Sequence, residues 1–173
     1  EKPWVVTKIQ LADLIRCSGE AFWKVFLDDA LQREIFTAAL GYPSYRVSER
    51  HELGSSVTRR IEVTPKLELP SAAKKIVGAM FSYVEEGELR DGVYRFKLSP
   101  PHGVESARAS IHGEIRAEAA NVDRTLRIID LTVDVRMPLV GKMLEGVAVQ
   151  ALKDGYTAHA EALNRHLERQ ADG

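Results

Sequence analysis

Three polar residues interrupt apolar β-strand patterns and are candidates for binding or catalysis. Arg59 lies in an alternating run of apolar residues and is expected to share their buried face. The same alternation places Glu49 and His51 on the face of Tyr45. Because an unpaired buried charge is costly, Arg59 and Glu49 are expected to pair across neighbouring strands. The three residues would then orient a carboxylate, phosphate or hydroxyl head group, unless the strands bend there and leave them in solvent.

Aromatic residues and one histidine are further candidates for ligand contacts. Tyr83, Tyr94 and Phe96 share the apolar phase of adjacent strands, and a buried tyrosine hydroxyl needs a hydrogen-bond partner. Core packing is the simplest role for Phe96. His159 lies near the edge of the apolar face of the last helix, one turn after Tyr156. A reference pKa of roughly 6.5 suits His159 to acid–base work, and the alternative is a boundary residue with satisfied hydrogen bonds.

The short motifs exclude several classes of site. Neither HxH, HExxH nor CxxC occurs, and Cys17 is the only cysteine, so we expect no metal, no cofactor and no intrachain disulfide. No G-x-S-x-G elbow or phosphate-binding glycine loop is present. A Ser-His-Asp triad stays open as an alternative, because such triads are recognised by geometry.

Length and charge limit the partners of the chain. The 173 residues are expected to form one ligand-binding domain, 1–173, of ordinary globular size. With 24 Lys and Arg against 25 Asp and Glu residues, the net charge of -1 does not favour nucleic acid as a partner. The longest apolar runs, of about four residues, are far below the roughly 20 that cross a bilayer. We therefore expect a cytoplasmic protein without an integral membrane segment.

The hydrophobic period outlines the elements that must position these residues. A first strand over Trp4–Gln10 precedes two short helices, whose expected N-caps are Ser18 and Asp28. The period then becomes two, which predicts six antiparallel strands interrupted by a short helical segment between Pro65 and Gly78. The six strands contain Tyr45–Val47, Val57–Val63, Phe81–Leu89, Tyr94–Leu98, Ala107–Ala117 and Leu126–Met137.

A long amphipathic helix is predicted from about Leu139, after Pro138, to Arg169. Only this helix is long enough to cover the apolar face of the sheet. We therefore expect an α+β fold, in which a curved seven-stranded antiparallel sheet wraps on the C-terminal helix. The small residues of the helix either allow close packing or leave room for a ligand. Its apolar arc contains Val140, Leu144, Val147, Ala151, Gly155, Ala158 and Ala162.

The segment 65–80 is expected at the open end of this arrangement. It is either a lid whose motion admits ligand or an immobile surface excursion. Together with Met80 and Phe81 it also offers an apolar surface for transient contact with a membrane or a partner. Lys74 and Lys75 are too few for stable electrostatic docking to a membrane.

The order of elements, the insertion after the third strand and the stretch DLTVDVRMPLVGKMLE over 130–145 resemble a known group of proteins. They are similar to the START-like, or helix-grip, superfamily (SRPBCC), and more narrowly to the bacterial family called domain of unknown function 2505. The resemblance implies the helix-grip fold. It leaves the activity open, because the superfamily includes lipid carriers, hormone receptors, polyketide cyclases and the Bet v 1 group. The chain lacks the glycine-rich loop of the Bet v 1 group and the histidine and cysteine ligands of iron-binding oxygenase subunits.

These features support three hypotheses for function. The first is a carrier or sensor of a hydrophobic or amphipathic, lipid-like molecule held between the sheet and the C-terminal helix. The second is an enzyme of the polyketide cyclase or dehydratase type that uses the same cavity, with His51, His159 or a tyrosine supplying protons. The third is an interaction protein whose interior is filled by its own side chains. The expected contacts are Glu49, His51, Arg59, Tyr83, Tyr94, Phe96, Leu144, Ala151, Gly155 and His159.

Overall fold

The computed structural model describes residues 5–67, 70–77, 82–100, 109–136 and 141–173. Within them the order of strands and helices confirms the predicted α+β architecture. The strands are β1 Val5–Ile15, β2 Ser44–Leu53, β3 Ser56–Thr64, β4 Tyr83–Arg90, β5 Val93–Ser99, β6 Ala109–Asn121 and β7 Arg124–Val135. The helices are α1 Gly19–Phe26, α2 Asp29–Glu34, α3 Ser71–Val77 and α4 Gly141–Ala171.

All seven strands belong to one antiparallel sheet, in the order β1-β7-β6-β5-β4-β3-β2. Strands β2 to β7 form a meander in which each strand pairs with the next. Strand β1 pairs instead with β7, from Val5 opposite Val135 to Ile15 opposite Thr125. It therefore continues well beyond its predicted end at Gln10, because β7 offers an equally long partner.

Local sequence explains where the two short helices begin and end. The Ser18 hydroxyl accepts a hydrogen bond from the Ala21 amide at 3.2 Å, and the Asp28 carboxylate accepts one from the Leu31 amide at 3.0 Å, so both predicted N-caps are confirmed. Helix α2 continues into one turn of π-helix, Ile35–Ala39. The turn is followed by Gly41 at a φ of 73°, a conformation that glycine adopts without steric cost.

The long helix α4 packs mainly against β1 and β7. Its C-terminal half closes the hydrophobic core with α1 and the sheet, and Phe22, Ile129 and Leu163 are each at most 1% exposed there. The end of the helix that begins at Gly141 lies near Val135, at the end of β7. One long helix across a seven-stranded antiparallel sheet is the helix-grip fold that the sequence predicts.

Several sequence predictions fall outside the described residues. These are Trp4 of the first strand, the Met80–Phe81 pair, Ala107 of the sixth strand, Met137 of the seventh and the predicted helix start at 138–140. The helical segment of the insertion is present as α3, whereas its motion stays a prediction. No helix in the described ranges is long and apolar enough to cross a membrane. A cytoplasmic location likewise stays a prediction.

Candidate functional site

A cavity of about 210 Å³ lies between the sheet and α4. The first and second short helices and the π-helical turn close one side of it, and the small residues Ala148, Ala151 and Gly155 of α4 form part of the opposite wall. The open space argues against an interior filled by the chain's own side chains. Among the described residues, seven phenylalanine and tyrosine rings line the cavity: Phe26, Phe36, Tyr42, Tyr45, Tyr83, Tyr94 and Tyr156.

Most of the sequence-predicted contacts line this cavity. They are Arg59, Tyr83, Tyr94, Leu144, Ala151, Gly155 and His159. Phe96 is different, because it is 4% exposed and does not line the cavity. Its ring stacks on the Tyr94 ring with centroids 5.9 Å apart, so it supports the lining from behind, in agreement with the packing role expected for it.

Glu49 and His51 do not reach the cavity, because a β-bulge in β2 reverses the alternation before them. Val47 is opposite Ile61, whereas Glu49 is opposite Arg60, so Ser48 is an extra residue in the ladder. An extra residue turns every later side chain to the other face of the sheet. Glu49 and His51 are consequently exposed on the outer face.

The same bulge brings Arg50 to the inner face beside Arg59. The predicted pairing of Arg59 with Glu49 is therefore wrong. Instead, Arg59 Nη1 donates to Asp29 Oδ1 at 2.9 Å and to the Phe26 carbonyl at 3.3 Å, while Arg50 Nη1 donates to Asp29 Oδ2 at 2.9 Å. The Arg59 guanidinium also lies over the rings of Phe26 and Tyr94, with 4.9 and 5.3 Å from its carbon to the ring centroids. Arg59 thus fastens β3 to the junction of α1 and α2.

Glu85 is a cavity-lining carboxylate that stands beside this arrangement. The Tyr94 hydroxyl donates to Glu85 Oε2 at 2.7 Å. Burial raises the pKa of Glu85, while the nearby Arg59 charge and the Tyr94 hydrogen bond oppose that increase. Glu85 follows Tyr83 by two residues and therefore shares its strand face, which is the sequence signal that could identify it as a cavity residue.

Gly87 makes room for the Tyr94 ring on the neighbouring strand. A Cβ atom at Gly87 would lie 1.9 Å from the Tyr94 hydroxyl and 2.7 Å from its ring carbon Cε2. The ring therefore crosses directly over a strand position without a side chain and reaches Glu85 two residues earlier.

Gly87→Ala is expected to displace Tyr94 and break its hydrogen bond to Glu85. We expect a loss of about 1–3 kcal/mol in the free energy of unfolding, which is typical of overpacking a buried site. Urea denaturation would measure it. Gly146→Ala is the matched control, because no atom lies within 4 Å of a Cβ at that helical position and the change should be neutral or stabilising. Equal stability of the two variants would contradict the packing argument.

A second polar cluster lies on β7 and α4 and includes residues that the sequence analysis did not select. Arg127 is 2% exposed. Its Nη1 donates to His159 Nδ1 at 2.8 Å, and its Nη2 donates to Asp13 Oδ2 at 2.8 Å and to the Tyr156 carbonyl at 2.9 Å. His159 Nε2 is in turn 2.7 Å from Gln32 Oε1. This network joins β1, β7, α2 and α4 across the core.

The hydrogen bonds of His159 define its protonation. Arg127 has only donors, so His159 Nδ1 must accept, and Nε2 then carries the hydrogen that Gln32 Oε1 accepts. Burial, together with the Arg127 charge, lowers the pKa of His159 to about 3. The ring is neutral near pH 7 and its one lone pair is already engaged. His159 therefore fits the alternative of a satisfied structural histidine better than that of an acid or base.

The described residues offer no site for a metal ion, since they contain no group of three or more His, Cys, Asp or Glu side chains with suitable spacing. In the part of the chain that the structure describes, two arginine Nε atoms, of Arg59 and Arg127, are buried without a hydrogen-bond partner. They are sealed from the cavity as well as from bulk solvent. A ligand in the cavity has therefore no access to either atom.

An outer groove adjoins the cavity between the π-helical turn, the segment after β3 and α4. It shares Tyr42, Leu67 and Ala151 with the cavity lining. Gly155 is also common to both, and a Cβ atom there would be 3.3 Å from the Tyr42 hydroxyl. The groove and the cavity thus adjoin at these shared residues.

Sequence comparison identifies one family for this chain. The family model described as "Protein of unknown function (DUF2505)" matches residues 14–167. Among curated proteins, none matches the sequence.

Solved structures show the same fold at low sequence identity. The Zhui aromatase/cyclase from Streptomyces sp. R1128 is 11% identical, with a TM-score of 0.69 and 96% of each chain covered. A START superfamily protein from Mycobacterium smegmatis is 16% identical, with a TM-score of 0.61, over 94% of this chain and 98% of the other. Norcoclaurine synthase from Thalictrum flavum, in complex with dopamine and hydroxybenzaldehyde, is 13% identical, with a TM-score of 0.64, over 96% and 89%. Such likeness supports the fold and leaves the activity open.

Proposed function

The chain belongs to the family of proteins of unknown function called DUF2505, and we propose that it binds a hydrophobic or amphipathic small molecule as a carrier or sensor. The observation that carries this proposal is the cavity of about 210 Å³ between the sheet and α4. Its lining is mostly apolar and aromatic, with a few polar groups, as is typical of small-molecule sites. We also propose that residues 1–173 form one domain around this cavity.

The polar side of the proposed site differs from the one expected from the sequence. Glu85, Tyr94 and Arg59 take the place of the expected group of Glu49, His51 and Arg59. Since Arg59 is held by Asp29 and the Phe26 carbonyl, its main role is to position the rings around it. Glu85 and Tyr94 are then the groups that would meet the polar end of a ligand.

The described residues 65–67 and 70 are suited to control access to the cavity. Pro65 and Leu67 line the cavity, and Lys66, Leu67 and Pro70 line the outer groove. Leu67 and Tyr42 line both the groove and the cavity, so they lie where the two adjoin. This supports the interpretation of the segment as a lid, which limited proteolysis with and without bound probe would test.

Ala151→Trp is expected to block the cavity, because Ala151 lines it from the middle of α4. We expect the affinity for the neutral fluorescent probe N-phenyl-1-naphthylamine to fall by about tenfold or more, the equivalent of 1.4 kcal/mol. Lys153→Trp, on the exposed side of the same helix, should leave the affinity unchanged. Circular dichroism would check that both variants fold. Equal probe binding by the two variants would refute a cavity site.

Native mass spectrometry of freshly purified protein is the direct test of the carrier hypothesis. A stoichiometric adduct, released by organic extraction and identified, would give the ligand class. An apo mass together with absent probe binding would argue against both carrier and sensor.

One observation favours an enzyme of the cyclase or dehydratase type as the second candidate. Glu85 and Tyr94 form a hydrogen-bonded pair of ionisable groups, and both line the cavity. Glu85 and Tyr94 are therefore the groups that would transfer protons. His51 lies outside the cavity, and the lone pair of His159 already accepts a hydrogen bond from Arg127. If the chain is such an enzyme, Tyr94→Phe should abolish turnover of a polyketide-type substrate while probe binding is retained. Loss of both together would favour a binding role alone.

A further inference from the structure

Glu85 differs from the other charged groups of the cavity lining in having no partner of opposite charge. Arg59 is paired with Asp29, and Arg127 with Asp13. No Lys or Arg nitrogen of the described residues lies within 4.0 Å of the Glu85 carboxylate, whose only hydrogen bond there is the one from Tyr94 to Oε2. With Asp29 and Asp13 counted as these partners, and with the neighbouring Arg50 paired to Glu52, one negative charge is left at the cavity when Glu85 is ionised. The nearby charge of Arg59 offsets the effect of burial on the pKa of Glu85 only in part. Such a charge in an apolar enclosure is costly unless another group neutralises it.

Several tyrosines line the cavity together with this carboxylate. The hydroxyls of Tyr42, Tyr45, Tyr83 and Tyr156 all belong to cavity-lining residues and make no hydrogen bond within the described part of the chain. Tyr83 is two residues before Glu85 on β4 and therefore shares its face, and burial followed by the charge of Glu85 raises the pKa of Tyr83 and Tyr156. Buried tyrosine hydroxyls usually find a partner, so these four are available to a bound molecule.

Resting on the proposed function, we propose that the ligand carries a protonated amine, which pairs with Glu85 inside this tyrosine enclosure. An ammonium group would donate a charge-assisted hydrogen bond to Glu85 and neutralise the surplus charge. The faces of Tyr42 and Tyr83 carry no protein cation within the described residues and attract a ligand cation, whereas the Phe36 ring stacks on Tyr45. The free hydroxyls accept its remaining N–H groups.

An anionic head group, which was expected at Arg59 from the sequence, is disfavoured by the same distribution of charges. The charge of Arg59 is already matched by Asp29, and that of Arg127 by Asp13. A second anion would add to the negative charge of Glu85 instead of neutralising it.

Cavity size further limits the class of amine. The cavity itself has a volume of about 210 Å³, without the groove that adjoins it, and this is below the range of about 300–1,000 Å³ for sites of drug-sized ligands. A compact amine with one or two rings fits this space better than a long acyl chain. The aromatic lining also favours flat rings, which stack on or against it.

Four probes that share a phenylethyl unit test the proposal on the intact chain by isothermal titration calorimetry. They are 2-phenylethylamine, 2-phenylethanol, 4-phenyl-2-butanone and 3-phenylpropanoate, which present an ammonium, a hydroxyl, a carbonyl and a carboxylate. We expect the amine to bind about tenfold or more tightly than each of the others, as a hydrogen-bonded charge pair would provide. Glu85→Gln should remove this preference, whereas Glu86→Gln should keep it, because Glu86 lies on the outer face and pairs with Arg60.

Three results would overturn the proposal. The first is equal affinity for all four probes, and the second is a preference for the ketone or carboxylate, which would indicate a protonated Glu85 or an anion site. The third is an amine preference that survives Glu85→Gln. Binding of N-phenyl-1-naphthylamine separates the two levels of inference: if it binds while the amine has no advantage, the cavity function stands and the amine specificity fails. If neither binds, both fail. Thermal unfolding of Glu85→Gln confirms that a loss of preference is not a loss of folding.

Discussion

Arg127→Met is expected to lower the free energy of unfolding by about 3–5 kcal/mol, because removal of one member of a buried ion pair leaves the others without partners. Asp13 would keep a carboxylate that is 17% exposed, and the acceptors on His159 and Tyr156 would lose their donor. Urea denaturation followed by circular dichroism would measure the change.

Two further variants distinguish the buried network from a general effect of arginine removal. Arg116→Met, on the outer side of the sheet beside Asp130 and Glu118, should cost only about 0–1 kcal/mol, as for other solvent-exposed ion pairs. Adding Asp13→Leu to Arg127→Met should recover part of the loss, because the unpaired carboxylate is then removed. A loss at Arg127 no larger than that at Arg116 would show that the network contributes little.

Acidification is expected to destabilise the protein through His159. In the unfolded chain this side chain binds a proton below about 6.5, whereas in the folded chain it does so only near pH 3. The unfolded state therefore binds more protons between these values, and stability falls as the pH decreases from about 6.5 towards 3. Since one pKa unit corresponds to about 1.4 kcal/mol, proton binding to His159 in the unfolded chain lowers the free energy of unfolding at pH 5 by about 2 kcal/mol.

His159→Asn isolates this contribution from that of the carboxylates. The asparagine oxygen can still accept from Arg127, although the ring contact with Phe36 is lost, so the variant should be less stable at pH 7. The difference in unfolding free energy between pH 7 and pH 5 should nevertheless shrink by about 2 kcal/mol. The exposed His112→Asn is the control and should keep the wild-type dependence. An unchanged pH dependence in His159→Asn would show that the folded histidine titrates normally.

The fold could be predicted from the sequence because its hydrophobic periods are long and change at clear points. Alternation over β3 to β7, the caps at Ser18 and Asp28 and one helix of sufficient length leave few other architectures. Strand ends were less accurate, as for β1, because the length of that strand depends on pairing with β7 over a hundred residues away. Local sequence contains no information about such a partner.

The candidate site could be predicted only in part, for two physical reasons. The bulge at Ser48 leaves no signal in the sequence, because one extra residue does not change the local composition. It nevertheless moves the side chains of Glu49 and His51 to the other face of the sheet. Arg127, in contrast, shares the phase of Ile129 and could have been found by the argument that selected Arg59. Its partner Asp13 and the Asp29 partner of Arg59 come from distant elements. Their roles depend on tertiary contacts that no spacing encodes.

The position of β1 has a consequence for the order in which the chain acquires structure. Its partner β7 begins at Arg124, so during synthesis at about 5–20 residues per second β1 waits on the order of 5 to 20 s after leaving the ribosome. Meanwhile the hairpins of the meander can form from near neighbours, which is the faster kind of pairing. Strand β1 is therefore expected to be the last strand to join the sheet, and until then its unpaired backbone groups can associate with other nascent chains.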